Sequence, residues 1–413
     1  MLSAPAAVLA ETAAPPAASR EELLARVPAL VEAIAKGAAQ RDLDRELPHG
    51  AFRLFRDSGL GALRIPRELG GPGGSVADYI GVVEALAAAD PNVAHALRSH
   101  FNFTEALVLA PDLPKARLGL ERVLVGALFA GAHTEQGGPK AGVTFTTTLR
   151  KQGDAFRLNG KKWYATGTAY ADYASFSAVD ENGQFTSALI PVNRAGVVVL
   201  DDWDGMGQRL TASGGVELND VEVFPEELEV RHNDGRMGRH CSTLRQLHLA
   251  ACGAGIVRNI LSDAQAYVRG QARAAAHSPA ASAREDHFVQ QVVGEIAANS
   301  FAIDALIVRS AEALDRSAAA IQGKSEDVEQ LLLESSLATA QTQLILAKLG
   351  LRAAEALFET GGGSATSRKY NFDRHWRNLR TVLNHNPLLH KSRVIGDYLL
   401  NGTTTHLEEG KVF

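Results

Sequence analysis

Phe156-Arg-Leu-Asn159-Gly160-Lys-Lys-Trp-Tyr164-Ala-Thr166-Gly167 lies near the middle of a 413-residue chain, where the hydrophobic period changes. Its aromatic and branched residues come in short runs broken by turn residues, whereas the flanking regions space their apolar residues at three and four. Asn159-Gly160 is a pair favoured by tight hairpins, because both central positions of such a turn take positive φ. Asn182-Gly183 repeats the pattern between runs at 175–179 and 185–192, and further runs at 123–130, 143–149, 173–179, 198–200 and 221–224 predict strands. A β domain over about 122–235 follows.

Upstream, Ser19 with Glu22 three residues on is a capping-box pattern, and Leu23, Val27, Leu30, Val31 and Ile34 then recur at helical spacing around Pro28. A helix at about 49–58 follows; Gly70-Gly-Pro-Gly-Gly74 breaks the chain before Ser75 starts another, and 93–110 predicts a third. Residues 1–18 read as an Ala/Pro-rich disordered tail rather than a secretory leader, since no Lys or Arg precedes the apolar run. Residues 19–121 form the predicted helical domain. Downstream, Ala/Leu-rich stretches at about 241–276, 285–321, 326–359 and 388–400 predict a long antiparallel bundle over 236–413.

A chain with 46% hydrophobic and 22% charged residues has ample core for two or three domains. The formal net charge of -5, with no dense Lys/Arg block, argues against nucleic acid and anionic membrane as partners. No uninterrupted apolar run reaches the ~18 residues of a membrane span. Cys241 and Cys252 are eleven residues apart on one predicted helix, roughly 16 Å at 1.5 Å per residue, too far to bridge. Two cysteines without a Cys-X-X-Cys pair fit a reducing, cytoplasmic setting. The thirteen histidines include no His-x-x-x-His pair on a predicted helix, so no metal is expected.

Helices, then strands, then four helices is the order of the acyl-CoA dehydrogenase superfamily, which this chain resembles. The implied fold is α+β and mainly α, with an N-terminal helical domain, a small central β-barrel and a C-terminal four-helix bundle. Six local patterns fall in family order: Leu69-Gly-Gly-Pro-Gly-Gly74, Ala132-His-Thr-Glu135, Leu158 to Gly167, Val221-Glu-Val-Phe-Pro225, Tyr267-Val-Arg-Gly-Gln-Ala-Arg273 and Asn371 to Pro387. A dehydrogenase of this superfamily needs a carboxylate to take the proton α to a thioester. The two positions that carry it in the family fall here on Asn386 and on Arg245, within Leu244-Arg-Gln-Leu247.

The departures resemble instead the flavin-dependent monooxygenase branch exemplified by dibenzothiophene monooxygenase. Phe372-Asp-Arg-His-Trp-Arg-Asn-Leu-Arg-Thr381, His385 before Asn386-Pro387, and Asp201-Asp-Trp-Asp-Gly-Met-Gly-Gln-Arg209 with Thr211 and Ser213 match that branch, as does Ala87 to His95 with His100 beyond. The resemblance implies a two-component enzyme that uses FMNH2 and O2, through a flavin C4a-hydroperoxide, to oxygenate a small organic substrate at sulfur or nitrogen. FAD is the alternative cofactor. A separate NAD(P)H-dependent flavin reductase would supply the reduced flavin, since no Gly-x-Gly-x-x-Gly follows a strand, and the expected assembly is a homotetramer. An acyl-CoA dehydrogenase-type oxidoreductase and a catalytically silent flavin-binding homologue are the rival readings.

By the same resemblance, His100, Thr166 and His385 surround the reacting flavin carbon, Thr134 and Thr166 border the flavin, Tyr164 and Trp203 flank its ring, and Arg273 meets a neighbouring flavin's phosphate. Imidazole exchanges protons near pH 6.5 and hydroxyl can donate, which suits stabilising an activated oxygen. Each has a plainer alternative: a helix histidine, a core aromatic, a surface arginine. His95 is read as structural. The family's second phosphate arginine corresponds to Ser364, with Arg368 close by.

Overall fold

The computed structural model describes residues 18–113, 115–137, 145–229 and 235–404. Residues 1–17 of the expected tail, and residues 143 and 144 of the run predicted at 143–149, lie outside them. Seven helices come first: α1 (Arg20–Ala35), α2 (Ala38–Asp44), α3 (His49–Ser58), α4 (Val76–Ala89), α5 (Pro91–Ala96), α6 (Arg98–Leu109) and α7 (Ala116–Leu124). Ser19 and Glu22 close the predicted capping box, and α1 runs through Pro28 without a break. Ser75 starts α4 with a second box, completed by Asp78.

The seven strands are β1 (Phe129–Ala132), β2 (Thr148–Gln152), β3 (Ala155–Lys162), β4 (Tyr173–Val179), β5 (Phe185–Pro191), β6 (Val197–Val199) and β7 (Val216–Val223). They form one curled sheet in the order β1-β4-β2-β3-β7-β6, with β5 on the other edge of β4. Its concave side closes over Leu149, Leu158, Phe176, Ile190, Val216 and Val223.

Three sequence expectations change here. Residues 123–128 are not strand: α7 extends to Leu124, and β1 starts only at Phe129. Asn159-Gly160 is no hairpin turn but an irregularity inside β3, where the register with β7 slips. Asn159 Oδ1 accepts the Asp220 N–H at 2.8 Å, and a Cβ on Gly160 would fall 2.6 Å from Thr147 Cα. The pair thus accommodates close backbone approach rather than chain reversal. Asn182-Gly183 does reverse the chain between β4 and β5, but only Gly183 has positive φ, at 73°. Asp180 organises that loop, its Oδ1 accepting the N–H groups of Asn182 and Gln184.

The last third contains α8 (Gly235–Gly270), α9 (His287–Gln322), α10 (Val328–Glu359), α11 (Asp373–Leu383) and α12 (Leu388–Asn401). α8, α9 and α10 pack mutually, and α4 fills the groove against α8 and α9. Gly255 permits that contact, since a Cβ there would stand 2.4 Å from the Glu84 carbonyl oxygen. The main core is therefore shared between the N-terminal helices and the bundle. Cys241 and Cys252 are free and buried on α8.

Candidate active site

The register of α5 and α6 against α8 positions the site. His248 Nε2 donates to the Ala94 carbonyl at 2.8 Å and its Nδ1 meets Tyr79 Oη at 2.5 Å, while His240 Nε2 pairs with Glu105 at 3.2 Å. As the chain descends α8 from His248 to His240, its partners climb α5 and α6 from Ala94 to Glu105, so the segments run antiparallel. Arg64, held to Glu105 by two bonds of 2.8 and 2.9 Å, locks the far end.

The α11–α12 turn closes over this pair. Asn386, 7% exposed, donates through Nδ2 to Gln246 Oε1 on α8. That fixes His385, whose ring meets the His95 ring edge to face at a centroid distance of 6.4 Å. His385 itself is exposed to solvent. Surrounding protein, followed by the charges of Arg98 and Arg245, holds its imidazole well below the ordinary value. His95 is pushed down to about 3 by burial and then by Arg98. Both are neutral imidazoles at pH 7, so neither is the half-titrated group that free histidine suggests.

Gln208 links this cluster to the sheet. It is 1% exposed, with φ 51°; its Oε1 accepts from His95 Nδ1 at 3.1 Å and its N–H donates to Asn378 Oδ1 at 2.6 Å. Its carbonyl receives both Trp203 Nε1, at 2.9 Å, and Thr211 Oγ1, at 2.8 Å. The segment docks by backbone contact, since a Cβ on Gly207 would lie 2.0 Å from the Arg377 carbonyl oxygen. From Thr211 the hydroxyls continue to Ser213 and Thr166, each step 2.7 Å. Thr211 spends its hydrogen on Gln208, so Ser213 donates to Thr211 and Thr166 donates to Ser213. Thr166 therefore presents lone pairs, not a free O–H, to anything beyond the relay.

Tyr164, 58% exposed and at φ 58°, stands 5.9 Å from the Trp203 ring in an edge-to-face pair. Thr134 bonds the same loop, donating to the Trp163 carbonyl at 2.5 Å while its own carbonyl accepts the Trp163 N–H at 2.9 Å. Glu135 anchors this strand end by accepting from buried Lys162 at 2.7 Å and from Thr146 and Thr147. Thr134, Tyr164, Thr166 and Trp203 thus share one edge of the sheet, and His385 joins it through His95 and Gln208. The two remaining candidates lie elsewhere. His100 points its Nε2 at the Gly61 carbonyl, 3.0 Å away, among Phe101 and Phe129, and burial pushes it down to about 4. Arg273 is exposed just beyond the end of α8, roughly 40 Å along the helix direction from Arg245 by rise per residue.

Sequence reasoning missed Gln208, His95 as a partner of His385, and Arg98. Gln208 and His95 stand inside the stretches 201–209 and 87–95, but nothing in those stretches marks their roles, which come from helix register and a backbone turn.

An aromatic pair with Tyr164 exposed and Trp203 half-buried, a polarised hydroxyl row, and the buried, unpartnered His95 Nε2 and Gln208 Nε2 suit a planar, polar-edged ring system such as FMN. The fold and site are those of a flavoenzyme. Residues 18–110, 130–221 and 247–388 match the N-terminal, middle and C-terminal domains of acyl-CoA dehydrogenase. The chain is 31% identical, over 89% of its length and 92% of the relative's, to a probable FMNH2-dependent monooxygenase, SfnC, of Pseudomonas putida. It is 30% identical to a dibenzothiophene monooxygenase of Mycolicibacterium goodii, over 84% of this chain and 86% of that one. Among solved structures, FMN-bound TdsC from Paenibacillus sp. A11-2 superposes with a TM-score of 0.83 at 27% identity, covering 92% of this chain and 98% of that one. The chain belongs to the acyl-CoA dehydrogenase family, in its branch of FMNH2-dependent monooxygenases.

Proposed function

We propose that the enzyme oxygenates a small organic substrate at sulfur, between the His95–His385 pair and the Tyr164–Trp203 edge. The observation that carries this reading is the composition of the two acid positions: Asn386 is bonded to Gln246, and Arg245 is cationic. Neither can remove a proton α to a thioester. Bound reduced FMN would supply the electrons that activate O2.

The protein's own residues hold and shield that group. Tyr164 and Trp203 cover the ring and exclude water. Thr166 accepts a hydrogen bond from a ring N–H, its lone pairs set by the Ser213–Thr211–Gln208 relay. His385, neutral and partly open, receives or returns a proton at the reacting oxygen; His95, oriented by Gln208, keeps the imidazole in place.

Arg273 reads as a contact to the flavin phosphate of another copy, since it lies too far down α8 to serve its own site. Arg368, exposed near the same end, where Tyr267 packs on Gly361, is a second cation for that contact. The outward face of α9 fits such an assembly, as Phe288 and Phe301 are exposed on a helix whose other face is held by α8 and α10. By length and hydropathy alone α9 could also cross a membrane. Its place in the bundle favours cover by further copies in a cytoplasmic homotetramer. A separate NAD(P)H-dependent reductase supplies FMNH2.

The test is aerobic incubation with a flavin reductase, NADH, FMN and a panel of sulfur and nitrogen compounds. Oxygenated sulfur product is expected. Oxidation of an acyl-CoA with no oxygenated product would overturn the assignment.

A further inference from the structure

The register that builds the site also brings together two arginines that the proposed mechanism does not use. His248 lies against Ala94 and His240 against Glu105, so stepping back three residues on α8 from His248 and forward four from Ala94 sets Arg245 opposite Arg98. The Asn386–Gln246 bond and the His95–His385 contact bring His385 to the same place. Both arginines are half-buried. Among the described residues no carboxylate lies within 4.0 Å of either guanidinium; Arg245 makes no hydrogen bond, and the buried Arg98 Nε has no partner. Elsewhere the chain pairs its enclosed arginines, as Arg64 with Glu105 and Arg41 with Asp90.

Two enclosed, unpaired guanidinium groups of like charge repel each other and each lose hydration. Burial, followed by the charge of Arg245, pushes Arg98 down to about 10, still fully protonated at neutral pH. An anion between them relieves both costs and can be gripped by the planar guanidinium donors.

We propose that Arg98 and Arg245 form an anion clamp beside His385, and that the substrate is a small organic anion with its charge on or next to the oxygenated atom. For a sulfur substrate that describes an organosulfinate, whose sulfur keeps a lone pair while its oxygens carry the charge. The overall conversion is RSO2− + FMNH2 + O2 → RSO3− + FMN + H2O. Sulfur gives up two electrons and FMNH2 two, and O2 accepts all four, one oxygen entering the sulfonate and the other leaving as water.

The proposal rests on the monooxygenase reading for its chemistry but not for its binding site, so binding is measured separately from turnover. Ethanesulfinate, propionate and the neutral dimethyl sulfoxide are titrated calorimetrically into the FMN-loaded protein, with wild type compared against Arg98→Gln, Arg245→Gln and Arg245→Lys. Ethanesulfinate is expected to bind, each glutamine variant to weaken it about tenfold or more, and Arg245→Lys to recover part of the loss. Turnover with ethanesulfinate should show the same loss as a raised KM. Unchanged FMN affinity and melting temperature in the variants separate lost anion binding from misfolding. Anion binding without oxygenation of ethanesulfinate or of any compound in the sulfur and nitrogen panel would keep the clamp and sink the monooxygenase reading. Preference for dimethyl sulfoxide, equal affinity in wild type and glutamine variants, or loss of FMN rather than sulfinate affinity would overturn the clamp.

Discussion

His95 and His385 meet edge to face at 6.4 Å, and the Nδ1 of His95 is committed to Gln208, so an orienting contact reaches the α11–α12 turn through two imidazoles. If His385 handles the proton at the reacting oxygen, His385→Gln keeps the hydrogen-bonding volume but removes the base. The expected result is a product yield per NADH lowered about 100-fold, with peroxide accumulating in its place. His95→Gln should lose less, about tenfold, because it acts by positioning. Quantifying sulfoxidised product against hydrogen peroxide checks both, and full coupling in His385→Gln would remove His385 from the chemistry.

Burial of neutral imidazoles ties stability to pH. His95 and His248 are pushed down to about 3, and His100 to about 4, chiefly by enclosure. Between those values and the unfolded value near 6.5, the unfolded chain binds more protons, so stability rises with pH there and falls on acidification. Each group then costs about 1.4 kcal/mol per pH unit below 6.5. The melting temperature should be level in this respect from pH 7 to 8 and drop steeply from 6.5 to 5. Equal melting at pH 5.5 and 7.5 would contradict the assigned burial of these rings.

The layout of the fold was legible because it rests on periodicity: helical spacing, strand runs and the Ser19 and Ser75 caps are local properties. The failures were also local. The 123–128 run is β-branched and apolar enough for strand, but Val123 and Leu120 pack as one helix face against Phe129. Asn159-Gly160 carries hairpin chemistry, yet tertiary approach to Thr147 decided its use. At the site, His385, Trp203 and Thr166 stand in motifs that resemblance reaches. Gln208 stands in the same stretch as Trp203, but its importance lies in a φ of 51° and a carbonyl shared by two donors, which no motif shows.

The hydroxyl relay makes a directional prediction. Thr166 donates to Ser213 and so offers only lone pairs outward, which Thr166→Ser preserves and Thr166→Val abolishes. The serine variant should keep FMN affinity and coupling within about twofold. The valine variant should weaken reduced-flavin binding by about 1 kcal/mol, roughly fivefold, and raise peroxide release. Ser213→Ala frees the Thr166 hydrogen to rotate outward and should give an intermediate result. Anaerobic titration with FMNH2 measures all three, and tighter binding to Thr166→Val would refute the acceptor role.

Glu105 tests whether helix register sustains the site at a distance. Burial alone would raise its pKa, but Arg64 and the His240 hydrogen bond override that and hold it at about 2, ionised throughout the working range. Glu105→Gln leaves the enclosed Arg64 charge uncompensated, which costs about 3–5 kcal/mol when a buried pair is broken on one side. Arg64→Met with Glu105→Leu removes both charges and should recover most of that loss in urea unfolding. Glu105 also takes the His240 hydrogen bond that ties α6 to α8, so Glu105→Gln should also loosen the opposition of Arg98 and Arg245. Weaker ethanesulfinate binding in Glu105→Gln, not restored in the double variant, which also lacks the His240 partner, is the expected pattern; full stability in Glu105→Gln would show that the Arg64 end does not hold the helices in register.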